Sequence, residues 1–226
     1  MTERAEPVVR VRGETTLEVE PEIARLTVVV RAQDKNRRRT LESLTERNQA
    51  CLDLIGRYGD AVEDVDTSAV AVVPELREGR GERVRAYHGG VRIRVTVRDF
   101  GVLGELVTLL GDEELTTVEG PRWELRPGSG VYDQAAEQAV HAALAKAKTY
   151  ARTLGTEITG VVEIADAGLS STPTPGDYAL APTAMAFQRA SAFDAGGPPA
   201  IALEPETIQV HAVVEATFRL APPTSL

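Results

Sequence analysis

The sequence is poor in the residues that build most recognisable sites. Among 226 residues there is one cysteine, one tryptophan, two methionines and three histidines, and aromatic residues make up 4%. A single cysteine, Cys51, excludes an intramolecular disulfide framework. Three histidines scattered at 88, 141 and 211 fall in no Cys/His/carboxylate spacing that would cage a metal, so no metal site is expected. A formal net charge of -9 argues against wholesale binding to nucleic acid or anionic membrane. No stretch approaches the roughly 20 consecutive apolar residues of a membrane span. The opening M-T-E-R-A-E-P-V-V-R has no apolar run of the length an export signal needs, which leads us to expect a cytoplasmic protein.

What is present is clear periodicity. From Ser129 the chain reads S-G-V-Y-D-Q-A-A-E-Q-A-V-H-A-A-L-A-K-A-K-T-Y-A-R-T-L-G. Ala136, Ala139, Val140, Ala143, Ala147, Tyr150 and Leu154 recur at steps of three and four, which predicts a helix with one largely methyl-lined face that a neighbour can approach closely. Ser129 is placed to cap it and Gly155 to stop it. A strand follows, from Thr159 to Ala165.

Upstream, Val9 and Val11 alternate with arginines up to a turn expected at Gly13, and Leu17 and Val19 continue the alternation. Ile23 to Arg31 is a strong strand. Asp34 is the expected cap of a helix over 35–58, on whose apolar face Leu41, Leu44, Asn48, Cys51 and Ile55 recur. A strand over 67–73 is expected to stop at Pro74, and a charged, glycine-containing turn joins it in a hairpin to a strand from Val84, with a bulge at Gly89-Gly90. Asp99 opens a second helix that Gly111 closes. An extended segment over 116–126 is interrupted by Gly120-Pro121. The last strand, from Thr207 to Leu220, alternates without a break.

Strand, helix, strand, strand, helix, strand is the order of a ferredoxin-like βαββαβ unit, with helices on one face of an antiparallel sheet. We therefore expect an α+β fold: that core, with the long alanine-rich helix and the outer strands enlarging and covering the same sheet. Residues 1–226 are expected to form one domain. The Pro/Gly/Ala-rich stretch at 168–205 is too long for an ordinary connection. It concentrates Tyr178, Leu180, Met185, Phe187 and Phe193, large apolar residues that a flexible linker would not carry, so these are candidate oligomer contacts.

Three segments together resemble the SIMPL-domain family. They are V-R-G-E-T-T-L-E-V-E-P-E-I-A-R-L-T-V-V-V; T-S-A-V-A-V-V-P-E-L with A-Y-H-G-G-V-R-I-R-V-T-V-R-D-F; and the alanine-rich helix with its strand and the final I-Q-V-H-A-V-V-E-A-T-F-R-L. Order and spacing carry the likeness. The chain departs from the family's usual pattern at Ala86-Tyr87, where glycine-tyrosine is common, and at Glu204-Pro205-Glu206, before the last strand. The resemblance implies an α+β subunit that assembles into larger bodies and a link to stress tolerance. It implies no agreed enzymatic activity, catalytic residue or cofactor.

Each polar candidate has a structural explanation beside a functional one. Cys51, on an apolar helix face, is expected to be a buried structural thiol. Asn48 should bond a neighbouring backbone group. His141, four residues after Glu137, reads as a solvated helical pair. Arg10, Arg12, Arg92, Arg94 and Arg98 suggest a basic sheet face, yet an RNA platform needs stacking aromatics. Cross-strand pairs with Glu14, Glu18, Glu124 and Glu215 account for the same residues. The densest basic run is Arg31, Lys35, Arg37, Arg38 and Arg39. Its cations open a helix where the dipole disfavours them, so Arg37, Arg38 and Arg39 are candidate anion contacts. The glycine pairs at 79–81 and 128–130 complete no phosphate loop and are read as turns.

The expected function is accordingly a non-enzymatic, self-associating scaffold or interaction module, a homo-oligomer with no cofactor. One alternative is a small-molecule-binding protein or enzyme with a pocket under the 168–205 loop. The other is an anion or nucleic-acid binder using residues 31–39.

Overall fold

The structure, a computed structural model, describes residues 6–76, 84–169 and 201–222. The fold is α+β: three α-helices and seven strands in two antiparallel sheets. The described residues divide into two compact units.

The first unit holds β1 (Val8–Val19), α3 (Gly130–Thr153), β6 (Ile158–Asp166) and β7 (Ile208–Leu220), with sheet order β1-β7-β6. The expected turn at Gly13 is absent. β1 runs straight through it and pairs with β7 from Val8 opposite Arg219 to Val19 opposite Ile208. Gly13 is instead the point where α3 lies on the sheet. A Cβ built there would overlap the Ala139 carbonyl oxygen and stand 2.5 Å from Ala143 N and 2.8 Å from Ala143 Cβ. Only a residue without a side chain permits that approach. The methyl face of α3 serves close packing, as its composition suggested, but its boundaries differ. The buried residues are Ala135, Ala139, Ala143, Ala147 and Ala151, an unbroken step of four, while Tyr150 and Leu154 are exposed. The core is completed by Val11, Val214, Ala216 and Phe218. Ser129 caps the helix by accepting from Val131 N at 3.3 Å.

The second unit holds β2 (Ile23–Asp34), α1 (Arg37–Gly56), β3 (Val62–Leu76), β4 (Val84–Val97), α2 (Leu103–Asp112) and β5 (Thr116–Glu124). Its strand order β3-β4-β2-β5 is that of a ferredoxin-like unit. Ala24, Leu26, Val28 and Val30 of β2 and Val91, Ile93, Val95 and Val97 of β4 form the floor of the core. Leu44, Cys51, Leu54 and Ile55 of α1 and Leu103, Leu106 and Leu110 of α2 cover it.

The outer strands do not enlarge this sheet; β1, β6 and β7 form their own. The β5 edge of the four-stranded sheet resists extension. β5 carries a bulge, where Gly120 and Pro121 together face Leu26, between the pairs Arg25 with Arg122 and Thr27 with Glu119. β3 shifts register three times. A bulge and a proline that offers no N–H disfavour further pairing at the β5 edge, whereas between its shifts β3 stays in register from Ala69 to Glu75. β3 continues through Pro74 to Leu76, which an edge strand tolerates. The expected bulge at Gly89-Gly90 is also absent, since both residues stay in register with Ala32 and Arg31. Gly89 is a second close-approach glycine: a Cβ there would meet Thr40 Cγ2 and Leu44 Cδ2 at 3.1 Å.

The cap of α1 falls two residues later than expected. Asn36 Oδ1 accepts from Arg38 N at 2.8 Å and Arg39 N at 3.4 Å, while Asp34 Oδ1 accepts from Asn36 N at 2.7 Å. Asp99 opens a 3-10 turn, Phe100–Val102, that leads into α2. Among the described residues no helix is long and apolar enough to cross a membrane.

Candidate functional site

The basic run sits where its spacing placed it. Arg37, Arg38 and Arg39 occupy the first turn of α1, with no acidic residue there to balance them. Arg38 Nε is 2.9 Å from Glu42 Oε1, one helical turn on. Arg37 and Arg39 are exposed and have no ion pair among the described residues. Arg31 reaches toward Thr117 Oγ1 at 3.5 Å.

The sheet arginines are largely spent on neighbours. Arg12 meets Glu215 directly across the strands at 3.0 Å, Arg25 meets Glu124 at 3.0 Å, and Arg94 meets Asp66 at 3.4 Å. Arg10 donates to Thr217 Oγ1 at 3.2 Å and Arg98 to the Asp60 carbonyl. Glu18, expected to pair with arginine, accepts from Gln209 instead. These contacts are cross-strand stabilisers.

The histidines lie on three different elements. His211 Nδ1 is 3.1 Å from Thr16 Oγ1. Glu137 and His141 share no hydrogen bond or ion pair among the described residues, so the expected helical pair is not formed. His88 Nε2 is 2.7 Å from Glu75 Oε2, and Arg85 holds the other oxygen of Glu75 at 3.1 Å. The hydrogen bond to His88 and, behind it, the charge of Arg85 hold the Glu75 carboxyl below the ordinary carboxylate range. A second clasp joins Arg126 to Glu63 at 2.6 Å, while Arg126 N donates to Glu22 Oε2 at 3.0 Å. Neither cluster was legible in the sequence, because the first depends on strand register and the second joins residues 63 apart on segments that do not pair.

Cys51 is fully buried, 3.9 Å from Thr116 Oγ1, and burial pushes its thiol pKa up, away from the reactive thiolate. Asn48 differs from expectation: its Oδ1 is buried with no partner among the described residues. No group of three potential metal ligands occurs among the described residues. Tyr178, Leu180, Met185, Phe187 and Phe193 lie outside the described residues.

The least satisfied surfaces are apolar. α1 lies mainly over β2 and β4 and reaches β3 only in part, and α2 lies over β5. Val65, Val70, Val73 and Leu76 of this edge strand are exposed, Val70 by 63% and Val73 by 55%. In the other unit α3 lies over β1 and β7, and Val161, Val162 and Ile164 of β6 stand open, Val161 by 60%. The sequence signal existed in A-V-A-V-V and G-V-V-E-I, but alternation does not reveal which strand a helix will miss.

These features define an α+β protein of two antiparallel sheets, each with an edge strand that exposes apolar side chains. The chain belongs to the SIMPL family, described as a protein of unknown function (DUF541), which it matches over residues 9–218. It is similar to the 26 kDa periplasmic immunogenic protein of Brucella melitensis biotype 1. The two are 27% identical over 177 residues, which is 74% of this chain and 68% of that protein. The protein of the same name from Brucella abortus matches to the same extent.

Proposed function

We propose that the chain is a non-enzymatic, self-associating subunit that acts as a scaffold or interaction module. The observation that supports this is the apolar edge strand in each sheet, β3 in one and β6 in the other. Exposed apolar side chains grouped on one strand of an otherwise charged protein mark sites of protein association. Tyr178, Leu180, Met185, Phe187 and Phe193 are proposed as further oligomer contacts. Deleting residues 176–195 and measuring mass by light scattering tests their part, since an unchanged oligomer of unchanged stability removes it.

A role in stress tolerance and a cytoplasmic location belong to the same proposal. The first rests on family likeness, and survival of a deletion strain under oxidative and heat stress tests it. The second stands beside relatives whose name is periplasmic, so fractionation of the host decides it. One cooperative calorimetric transition is the result expected of a single domain.

A second reading is favoured by one observation. Arg37 and Arg39, with no ion pair among the described residues, present charge to an anionic partner at the start of α1. Binding of a fluorescent oligonucleotide that is lost in an Arg37→Ala, Arg39→Ala variant would support it. An unchanged affinity would remove it. A pocket under the 168–205 loop would make the chain a small-molecule binder or enzyme; a metabolite copurifying from the host and seen by native mass spectrometry would bring that alternative forward.

A further inference from the structure

We infer that β3 pairs with β3 of a second copy, antiparallel and about a two-fold axis at Ala71, so that two four-stranded sheets join into one. This rests on the self-association proposed above and names its surface.

Among the described residues β3 is an edge strand, with no strand beside one side of its backbone. Its register shifts fall between Thr67 and Ala69 and again between Glu75 and Leu76. Between them Ala69-Val70-Ala71-Val72-Val73 pairs residue for residue with Arg92 to His88 of β4. The window is therefore a flat, regular ladder bounded by irregular backbone. It contains no charge, and β-branched valine fills three of its five positions. Sheet edges are usually guarded by lysine, proline or a bulge. Here the guards stand at the ends, as bulges and Pro74, and not in the middle.

The window is symmetric about Ala71. A two-fold axis perpendicular to the sheet keeps side chains on the same face, so Val70 would face Val72 of the second copy and Ala69 would face Val73. Val70 and Val72 lie on the α1 side, since their β4 partners are Val91 and Gly89. α1 covers that side of β3 only in part, leaving Val72 half-buried and Val70 63% exposed, and a neighbouring valine pair would complete the cover. Val73, on the other face, would gain the partner's Ala69. The charges agree with this register: Glu75 falls opposite Thr67 and Asp66 opposite Leu76, so no carboxylate meets a carboxylate across the seam. An axis moved five residues toward the N-terminal end, to Asp66, would set that carboxylate against its own copy, where repulsion opposes pairing. Five residue pairs bury far less than the roughly 1,600 Å² of a standard interface, so this contact should dissociate on dilution.

The test uses the full chain in sedimentation velocity across a concentration series, beside a Val70→Lys, Val73→Lys variant. Both sites are exposed, so circular dichroism should show an intact fold. The expected result is a rise of roughly tenfold or more in the dissociation constant of the contact. A separate Ala71→Cys variant is treated with a short thiol-reactive cross-linker, to which the fully buried Cys51 is closed. Covalent dimer is expected, and none when the two lysines are added. A wild-type oligomer that keeps its mass in the lysine variant and gives no cross-link at residue 71 overturns this inference while leaving self-association standing. A wild-type chain that is monomeric throughout overturns both.

Discussion

Gly13 is the position at which a single methyl group should do most damage. A Cβ there overlaps the Ala139 carbonyl oxygen and lies 2.5 Å from Ala143 N and 2.8 Å from Ala143 Cβ. Two of these neighbours are helix backbone, which cannot rotate aside as a side chain would. α3 must lift from β1 or slide, loosening the contacts of Ala139, Ala143 and Ala147 with Val11, Val214 and Phe218. Overpacking of a dense core costs about 1–3 kcal/mol, and unyielding neighbours place Gly13→Ala at about 3. Restriction of the unfolded chain returns about 0.4–1 kcal/mol, leaving about 2. For a protein of this length that lowers Tm by about 4–8 °C. Gly160→Ala is the matched control in the same sheet, because a Cβ there meets nothing within 4 Å. It should stay within about 0.5 kcal/mol of wild type. Thermal and urea unfolding followed at 222 nm measures both. Equal stability of the two variants would refute the close-packing explanation of the alanine face.

Three further outcomes follow from particular side chains. Burial and the raised pKa of Cys51 predict no reaction with a thiol reagent in the native protein and full reaction in denaturant, so rapid native labelling would revive a catalytic thiol. Asn48→Leu removes a buried acceptor without a partner and should stabilise by about 1 kcal/mol in urea; a loss of that size would show that the amide is satisfied. The Glu63 carboxyl is held below the ordinary range, chiefly by the hydrogen bond from Arg126. The folded state therefore binds fewer protons than the unfolded, so the clasp stabilises fully above the unfolded pKa of about 4.3 and fades as pH falls through the depressed value. Arg126→Gln should lose less stability than wild type on acidification, and parallel losses would argue against the clasp.

The sequence disclosed the fold where periodicity is long and undisturbed. The alternation of β7 and the steps of α3 were both visible, as was the βαββαβ order around Leu26, Ile93 and Leu106. What it concealed was mostly three-dimensional. Gly13 and Gly89 read as a turn and a bulge, because a glycine chosen for lack of volume looks the same as one chosen for backbone freedom. Asp34 competed with Asn36 for the cap of α1, and the two acceptors divided the work. Glu75 with His88 needed the register between β3 and β4, and Glu63 with Arg126 needed the path of the chain after β5, before they could be seen together. How far β3 is covered depended on where α1 lies, which no pattern within β3 records.

Self-association is the claim from which the rest follows, and the mass of the full chain in solution tests it most directly. Sedimentation velocity of the unmodified 24.3 kDa protein, from low to high micromolar concentration, should show a species of at least twice that mass that grows with concentration. A single 24.3 kDa species across the whole range would contradict the account.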